Sequence, residues 1–204
     1  MPQRHAPATA RNREAILRVL QDVLPKAGCI LEIASGSGEH AVYFAPRLAP
    51  RMWLPSDIDP DNLASIEAWS LAEPCHHLLQ AINLDACEYP WAIESAPIAN
   101  YISAVVNINM IHIAPWEACI GLFKGAARVL AAGGVVFLYG PFARQGKHTA
   151  DSNAHFDRQL RARNSQWGVR DLDEVTVIAE DMGFRLSDVV EMPANNLSVV
   201  FSRR

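Results

Sequence analysis

Three acidic side chains spaced along the first half of the chain, and a bend of small residues beside the first of them, are best suited to chemistry. The bend lies within Leu31-Glu32-Ile33-Ala34-Ser35-Gly36-Ser37-Gly38-Glu39-His40. Small residues from Ala34 to Gly38 let a ligand approach the backbone closely, and Gly36 and Gly38 can take positive φ. Glu32 interrupts an apolar run, where a carboxylate is costly without a partner; a ligand ammonium or donors of the bend would serve. Asp57 follows 19 residues after Gly38, the separation at which an acid ending a second strand accepts both hydroxyls of a ribose. Asp85, after Leu84, is placed to accept a hydrogen bond from the amino group of an adenine. Together these groups describe a nucleoside site. The competing reading is helix N-capping, by Asp57 or Asp59 ahead of Asp61.

The elements that must position these groups alternate. Asn12 to Leu24 carries Ile16, Leu17, Leu20, Val23 and Leu24 at helical spacing and stops at Pro25. Strands are expected over 29–34, 52–55, 77–84, 101–108 and 135–139, with helices over 40–48, 61–71, 116–130 and 172–182. A final antiparallel pair is expected over 186–192 and 197–202, joined at Asn195-Asn196. Repeated strand–helix alternation implies right-handed crossovers and a parallel sheet covered on both faces. The expected fold is therefore α/β: a doubly wound, Rossmann-like, seven-stranded sheet, mostly parallel with an antiparallel final strand. No repeat or linker divides the 204 residues, so one domain over 1–204 is expected.

Bulk properties narrow the function. Half the residues are apolar, and the net charge is −4 with a pI near 6.0. No run of Lys or Arg supplies the basic surface that a general grip on nucleic acid needs; Arg158, Arg161 and Arg163 cluster only as a helix face. No apolar run reaches the roughly 20 residues that span a bilayer, and the polar N-terminus has no secretory pattern. Cysteines at 29, 75, 87 and 119 form no CxxC pair, which fits reduced thiols in a cytoplasmic protein. Cys75-His76-His77 lacks a spaced second pair of ligands, so no metal is expected.

These motifs resemble those of class I S-adenosylmethionine-dependent methyltransferases. Glu32 to Gly38 is similar to the first motif of that family, with Ala34 in place of its first glycine. Ser56-Asp57-Ile58-Asp59-Pro60 resembles the second motif and Asn83-Leu84-Asp85-Ala86 the third. Ala127 to Phe137, with Gly133-Gly134, resembles the helix–turn–strand unit before the fifth strand. A closer resemblance is to the methyltransferase-like domain of unknown function 938 family. It is carried by Asn12-Arg13, Glu32 to His40, Pro55-Ser56-Asp57, Asn107 to Ile113, Tyr139-Gly140-Pro141-Phe142 and Ser152 to Asp157. The resemblance implies S-adenosylmethionine as cofactor, held by Asn12, Glu32, Ala34, Ser35, Gly36, Gly38, His40, Asp57, Ile58, Leu84, Asp85 and Asn107.

On the acceptor side, alignment with the methyl carbon matters most, and a base is needed only for a hydroxyl or a protonated amine. His112 and His155 are the candidate bases; a helix cap or surface position is the alternative for each. Asn109, Tyr139, Phe142 and Asn153 are expected at the substrate, with Gly140 to Gln166 as a polar lid. Asn107 and Asn109 lack the Pro-Pro-aromatic sequel of amide methylators. The negative charge favours a small-molecule acceptor over nucleic acid. Two other functions fit parts of the pattern: a cofactor-binding module without turnover, and a nicotinamide-dependent oxidoreductase. The second normally has Gly-x-Gly-x-x-Gly, whereas Glu39, His40 and Ala41 follow Gly38 here.

Overall fold

The computed structural model describes residues 3–204. In chain order the elements are α1 (Pro7–Val23), β1 (Cys29–Ile33), α2 (Glu39–Phe44), β2 (Met52–Asp57), α3 (Pro60–Ala72), β3 (Ile82–Asn83) and β4 (Ile102–Ile108). There follow α4 (Trp116–Val129), β5 (Val135–Gly140), β6 (Phe142–Arg144), β7 (Lys147–His148), α5 (Asp151–Arg163), β8 (Arg170–Asp171), α6 (Leu172–Asp181), β9 (Phe184–Met192) and β10 (Asn196–Arg203). The main sheet has the order β3-β2-β1-β4-β5-β10-β9. Strands β2, β1, β4 and β5 run parallel, and β10 is reversed between β5 and β9. This is the seven-stranded, mostly parallel sheet expected from the sequence. Strand order reverses between β1 and β4, so the crevice for a ligand opens beyond their carboxyl ends.

Alternation along the buried strands sorts side chains into two cores. Ile30, Trp53 and Phe137 meet Ile16, Leu20 and Phe44 of α1 and α2. Leu31, Val105, Val136 and Phe201 meet Leu122 and Phe123 of α4 and Val175 of α6. Every residue of β1 is buried, as a strand covered on both faces requires.

Three elements depart from the expectation. Helix α1 starts at Pro7, five residues before Asn12, because Pro suits the first helical position. The apolar stripe starts later, so spacing alone does not show the first turn and a half. The chain before it lies across α3: the Arg4 N–H donates to Ser65 Oγ and Trp69 Nε1 to the Arg4 carbonyl. The third strand, expected over 77–84, is reduced to Ile82–Asn83 and an isolated bridge between Trp53 and Leu78. Trp53 and Asp57 turn their backbone polar groups to this side, and so does Pro55 between them. Pro has no N–H to donate, and the ladder breaks there. Finally, 140–166 is an ordered β6–β7 hairpin followed by α5, and β6 pairs with both β7 and β8. Asp157 fixes this helix by accepting from the Val169 N–H and Arg161 Nε, each at 2.8 Å.

The β9–β10 turn is Pro193–Asn195, with Ala194 and Asn195 both at φ 58°, while Asn196 already pairs with Met192. Among the described residues no helix is long and apolar enough to cross a membrane, and no group of three or more His, Cys, Asp or Glu could hold a metal ion.

Close approach at α4 yields a test of the fold. A Cβ on Gly125 would lie 2.0 Å from the ring of Trp91, which is buried and donates its indole N–H to the Ala86 carbonyl. Glycine to alanine within a helix ordinarily stabilises by about 1 kcal/mol. Here overpacking reverses the sign: Gly125→Ala is expected to lower the unfolding free energy by about 1–3 kcal/mol, read from denaturant midpoints.

Candidate functional site

The bend after β1 is held by hydrogen bonds to the end of β2. Ser35 donates its N–H to the Ser56 carbonyl at 2.8 Å, and its hydroxyl accepts from the Ser56 N–H at 3.1 Å. Asp57 Oδ2 accepts from the Gly36 N–H at 2.8 Å, while Oδ1 accepts from the Asp59 N–H at 2.9 Å and Asn62 Nδ2 at 3.2 Å. The capping role falls to Asp59, which accepts from the Asp61 N–H at 2.9 Å. Asp57 faces the bend. Ala34 adopts φ 58°, the left-handed region that costs an L-residue about 1–2 kcal/mol. It follows the backbone path a glycine would take there.

Gly36 and Gly38 serve different ends. A Cβ on Gly36 would meet nothing within 4 Å, so the bend faces open space. On Gly38 it would lie 2.9 Å from the Ile66 backbone, so this glycine lets α3 close on the bend. Ile58, beside Asp57, is 58% exposed although strongly apolar. Asp85 is partly exposed, with one oxygen accepting from the Cys87 N–H at 2.8 Å; Leu84 is buried in the core beneath it. The open bend, the carboxylate of Asp57 and the apolar face of Ile58 together fit an adenosyl group.

Under the bend lies a layer of polar groups that burial keeps uncharged or paired. Glu32 accepts from Trp53 Nε1 at 2.9 Å, so its partner comes from β2. Burial pushes its carboxyl up to about 7, against the Trp53 and Ser35 hydrogen bonds. Burial also lowers His40 to about 4; this neutral ring shares a hydrogen bond with Asn12 Oδ1 at 2.9 Å and stacks on Phe44. Tyr139 is raised by burial, and the side chains of Asn12 and Asn196 face its hydroxyl. Asn107 donates Nδ2 to the Ile33 carbonyl at 2.9 Å, leaving Oδ1 buried without a partner.

Asn12 and Tyr139 also line a cavity of about 600 Å³ beyond the ends of β4 and β5. Asn109, Asn153, Pro141 and Asn196 share it, with Phe156 of α5 and Arg11 of α1. Asn153 donates Nδ2 to Thr149 Oγ1 at 3.0 Å and to the Asn195 carbonyl at 2.9 Å, tying α5 to the β9–β10 turn. Another hollow of about 700 Å³ runs along α4, lined by Tyr89, Glu117, Lys124 and Arg128 among others; it shares no residue with the bend or this cavity.

Three expected side chains lie elsewhere. His112 is wholly buried: Nδ1 accepts from the Arg170 N–H at 3.2 Å, and Nε2 abuts Gly140 without a partner. Burial lowers its pKa to about 3, which leaves a neutral ring sealed from the cavity. His155 is exposed on α5, beside Gln159 Nε2 at 3.0 Å, and does not line the cavity. Phe142 is buried edge-on against His112, 4.9 Å between ring centres; Pro141 takes the lining position. The period of β5 and β6 around Gly140 turns one side chain in and the next out, and sequence spacing alone did not fix which. Arg11, Phe156 and Pro193 were missed; Pro7, as a helix start, is the one signal that would have brought Arg11 forward.

The buried carboxyl generates a pH test. Its folded pKa is raised above the ordinary value of 4.5, so the folded state holds the proton more tightly than the unfolded chain. That stability is present below about 4.5 and is lost as pH rises toward about 7. His40 and His112 act oppositely, losing stability as pH falls below 6.5. Glu32→Gln keeps an acceptor for Trp53 without the charge. The stability of this variant relative to wild type is expected to rise from pH 4.5 to pH 7. Parallel denaturation midpoints over that window would contradict the assignment.

Comparison with known proteins follows the same lines. Human N-acetylserotonin methyltransferase, solved in complex with SAM, superposes with a TM-score of 0.77 at 12% identity, over 96% of this chain and 52% of that one. CalO1, a methyltransferase in calicheamicin biosynthesis solved in its SAH-bound form, gives 0.71 at 14%, over 97% and 54%. The PH0226 protein from Pyrococcus horikoshii OT3 gives 0.73 at 14%, over 98% and 92%. At these identities the likeness establishes the fold, and the chain spans about half the length of the first two proteins. The family described as "Protein of unknown function (DUF938)" matches residues 3–203, so the chain belongs to the DUF938 family and has the fold of class I S-adenosylmethionine-dependent methyltransferases.

Proposed function

We propose that this protein is an S-adenosylmethionine-dependent methyltransferase acting on a small-molecule acceptor. The observation that carries the reading is Asp57 at the end of β2, bonded to the Gly36 N–H of a bend whose outer side is open. The fold relatives solved with SAM or SAH add support. S-adenosylmethionine supplies a methyl group already activated by its sulfonium.

The residues of this chain supply position and exclusion of water. Asp57 has acceptor capacity for ribose hydroxyls, and Ile58 offers an apolar face to a base. Asp85 stands where it can accept from an exocyclic amine. The unpartnered Asn107 Oδ1 and the Asn12–His40 pair suit the amino-acid portion, where a buried acceptor without a donor is costly. Asn109, Tyr139 and Asn153 orient the acceptor molecule in the 600 Å³ cavity. None of the residues lining that cavity is Asp, Glu, His, Lys or Cys. The acceptor atom must therefore bring a lone pair that is free near neutral pH.

The test is a thermal-shift titration with S-adenosylmethionine, S-adenosylhomocysteine and NAD. A ligand that binds only the folded state raises Tm as ln(1 + [L]/Kd). The two adenosyl compounds are expected to raise it and NAD to leave it unchanged. Asp57 also holds the bend, so the conservative Asp57→Asn is the useful variant. It is expected to weaken S-adenosylhomocysteine at least about tenfold, as loss of a charged hydrogen-bond partner does. An unchanged affinity in a folded Asp57→Asn would overturn the ribose assignment. A protein that binds the cofactor but releases no S-adenosylhomocysteine with any acceptor would instead be a binding module.

A further inference from the structure

The cavity beyond β4 and β5 has an asymmetric lining. Arg11 is its one charged side chain; the other polar groups are amides and hydroxyls, from Asn12, Asn109, Tyr139, Asn153 and Asn196 among others. Arg11 is exposed, and among the described residues its side chain makes no salt bridge, hydrogen bond or ring contact. Neighbouring cations are engaged: Arg4 with Asp59, Arg18 with Glu14, and Arg13 over the Tyr43 ring. Arg11 also lies near the start of α1, which has no acid in its first turn. The carboxylate of Glu39, from α2, meets that helix end by accepting from the Ala6 N–H.

Two apolar side chains face the same space. Phe156 is 38% exposed and Ile113 44% exposed, and both line the cavity. Exposed apolar groups converging on one hollow mark a surface that an apolar body covers. Charge and apolarity lie in one cavity large enough for a small organic molecule.

We infer that the methyl acceptor is a small anion with an aromatic or branched apolar body, its anionic group held by Arg11 and its body by Phe156 and Ile113. The inference rests on the methyltransferase reading for the word acceptor; the anion site stands on the cavity alone. A guanidinium fork matches a carboxylate or phosphate with two hydrogen bonds, and an ammonium ligand would meet no acid in the lining. The same chemistry has a second source, the carboxylate of the cofactor's own amino-acid portion. Arg11 favours the acceptor because it lies exposed at the rim, beside Ala8 on the helix face, whereas Asn12 is the buried residue bonded to His40.

The test titrates benzoate, benzyl alcohol and benzylamine into the full chain, with and without saturating S-adenosylhomocysteine, by calorimetry. Benzoate is expected to bind at least about tenfold more tightly than either analogue, equal to 1.4 kcal/mol, and to do so with the nucleoside bound. Arg11→Gln should abolish that preference without changing the affinity for S-adenosylhomocysteine. Phe156→Ala should weaken all three probes alike. Equal or tighter benzylamine binding, a preference surviving in Arg11→Gln, or no benzoate binding would overturn the inference. So would Arg11→Gln weakening S-adenosylhomocysteine but not 5′-methylthioadenosine, which lacks the amino-acid portion; Arg11 would then serve the cofactor. Failure of the methyltransferase reading shows separately, as wild-type protein that binds benzoate but neither adenosyl compound.

Discussion

The hydrogen bond from the Gly36 N–H to the Asp57 carboxylate joins the two strand ends on which the site is built. A bend of small residues has many conformations in isolation, and fixing them costs backbone entropy. Asp57, Ser35 and Ser56 fix this one from the neighbouring strand, so the parallel β1–β2 ladder sets the shape of the bend. The arrangement explains why Ala34 can remain in a left-handed conformation. The strain is small beside the several hydrogen bonds that impose it. It also gives Asp57 a structural duty, with lone pairs already engaged by the Gly36 and Asp59 N–H groups and by Asn62.

Three buried ionisable side chains share a single physical rule. Desolvation disfavours the charged form whichever its sign, so Glu32 moves up while His40 and His112 move down. Near neutral pH the two imidazoles are neutral, and their role is to connect elements. His40 joins α2 to α1 through Asn12, and His112 accepts from the backbone that leads into β8. A histidine in this position carries polarity into the core without a net charge. The polar lining of the cavity beyond β4 and β5 is of amides and hydroxyls, with its one cation at the rim. Such a lining offers hydrogen-bond donors and acceptors but no carboxylate or imidazole.

The cavity beyond β4 and β5 is assembled from distant parts of the chain. Helix α1, the ends of β4 and β5, α5 and the β9–β10 turn all contribute to one cavity. Asn153 and Asn195 lock α5 to that turn, and Asp157 locks its other flank to the start of β8. The segment after β5 therefore forms a fixed wall, with a helix where its polar composition suggested a lid.

The order of the elements, the parallel sheet with its reversed strand, and the acids at Glu32, Asp57 and Asp85 were legible from residue types and spacing. Each depends on local chemistry: apolar periodicity, glycine freedom, and the fixed distance from one strand end to the next. Tertiary structure decided the partners. That Glu32 meets the Trp53 indole depends on β1–β2 register, and the loss of strand at 77–84 depends on which way the missing N–H of Pro55 points. The depth of burial of His112 and Phe142, and the place of Arg11 at the rim, were equally hidden. A sequence specifies which groups are polar and how far apart they lie along the chain. Only packing determines which of them water can still reach, and desolvation makes that difference decide their protonation and their use.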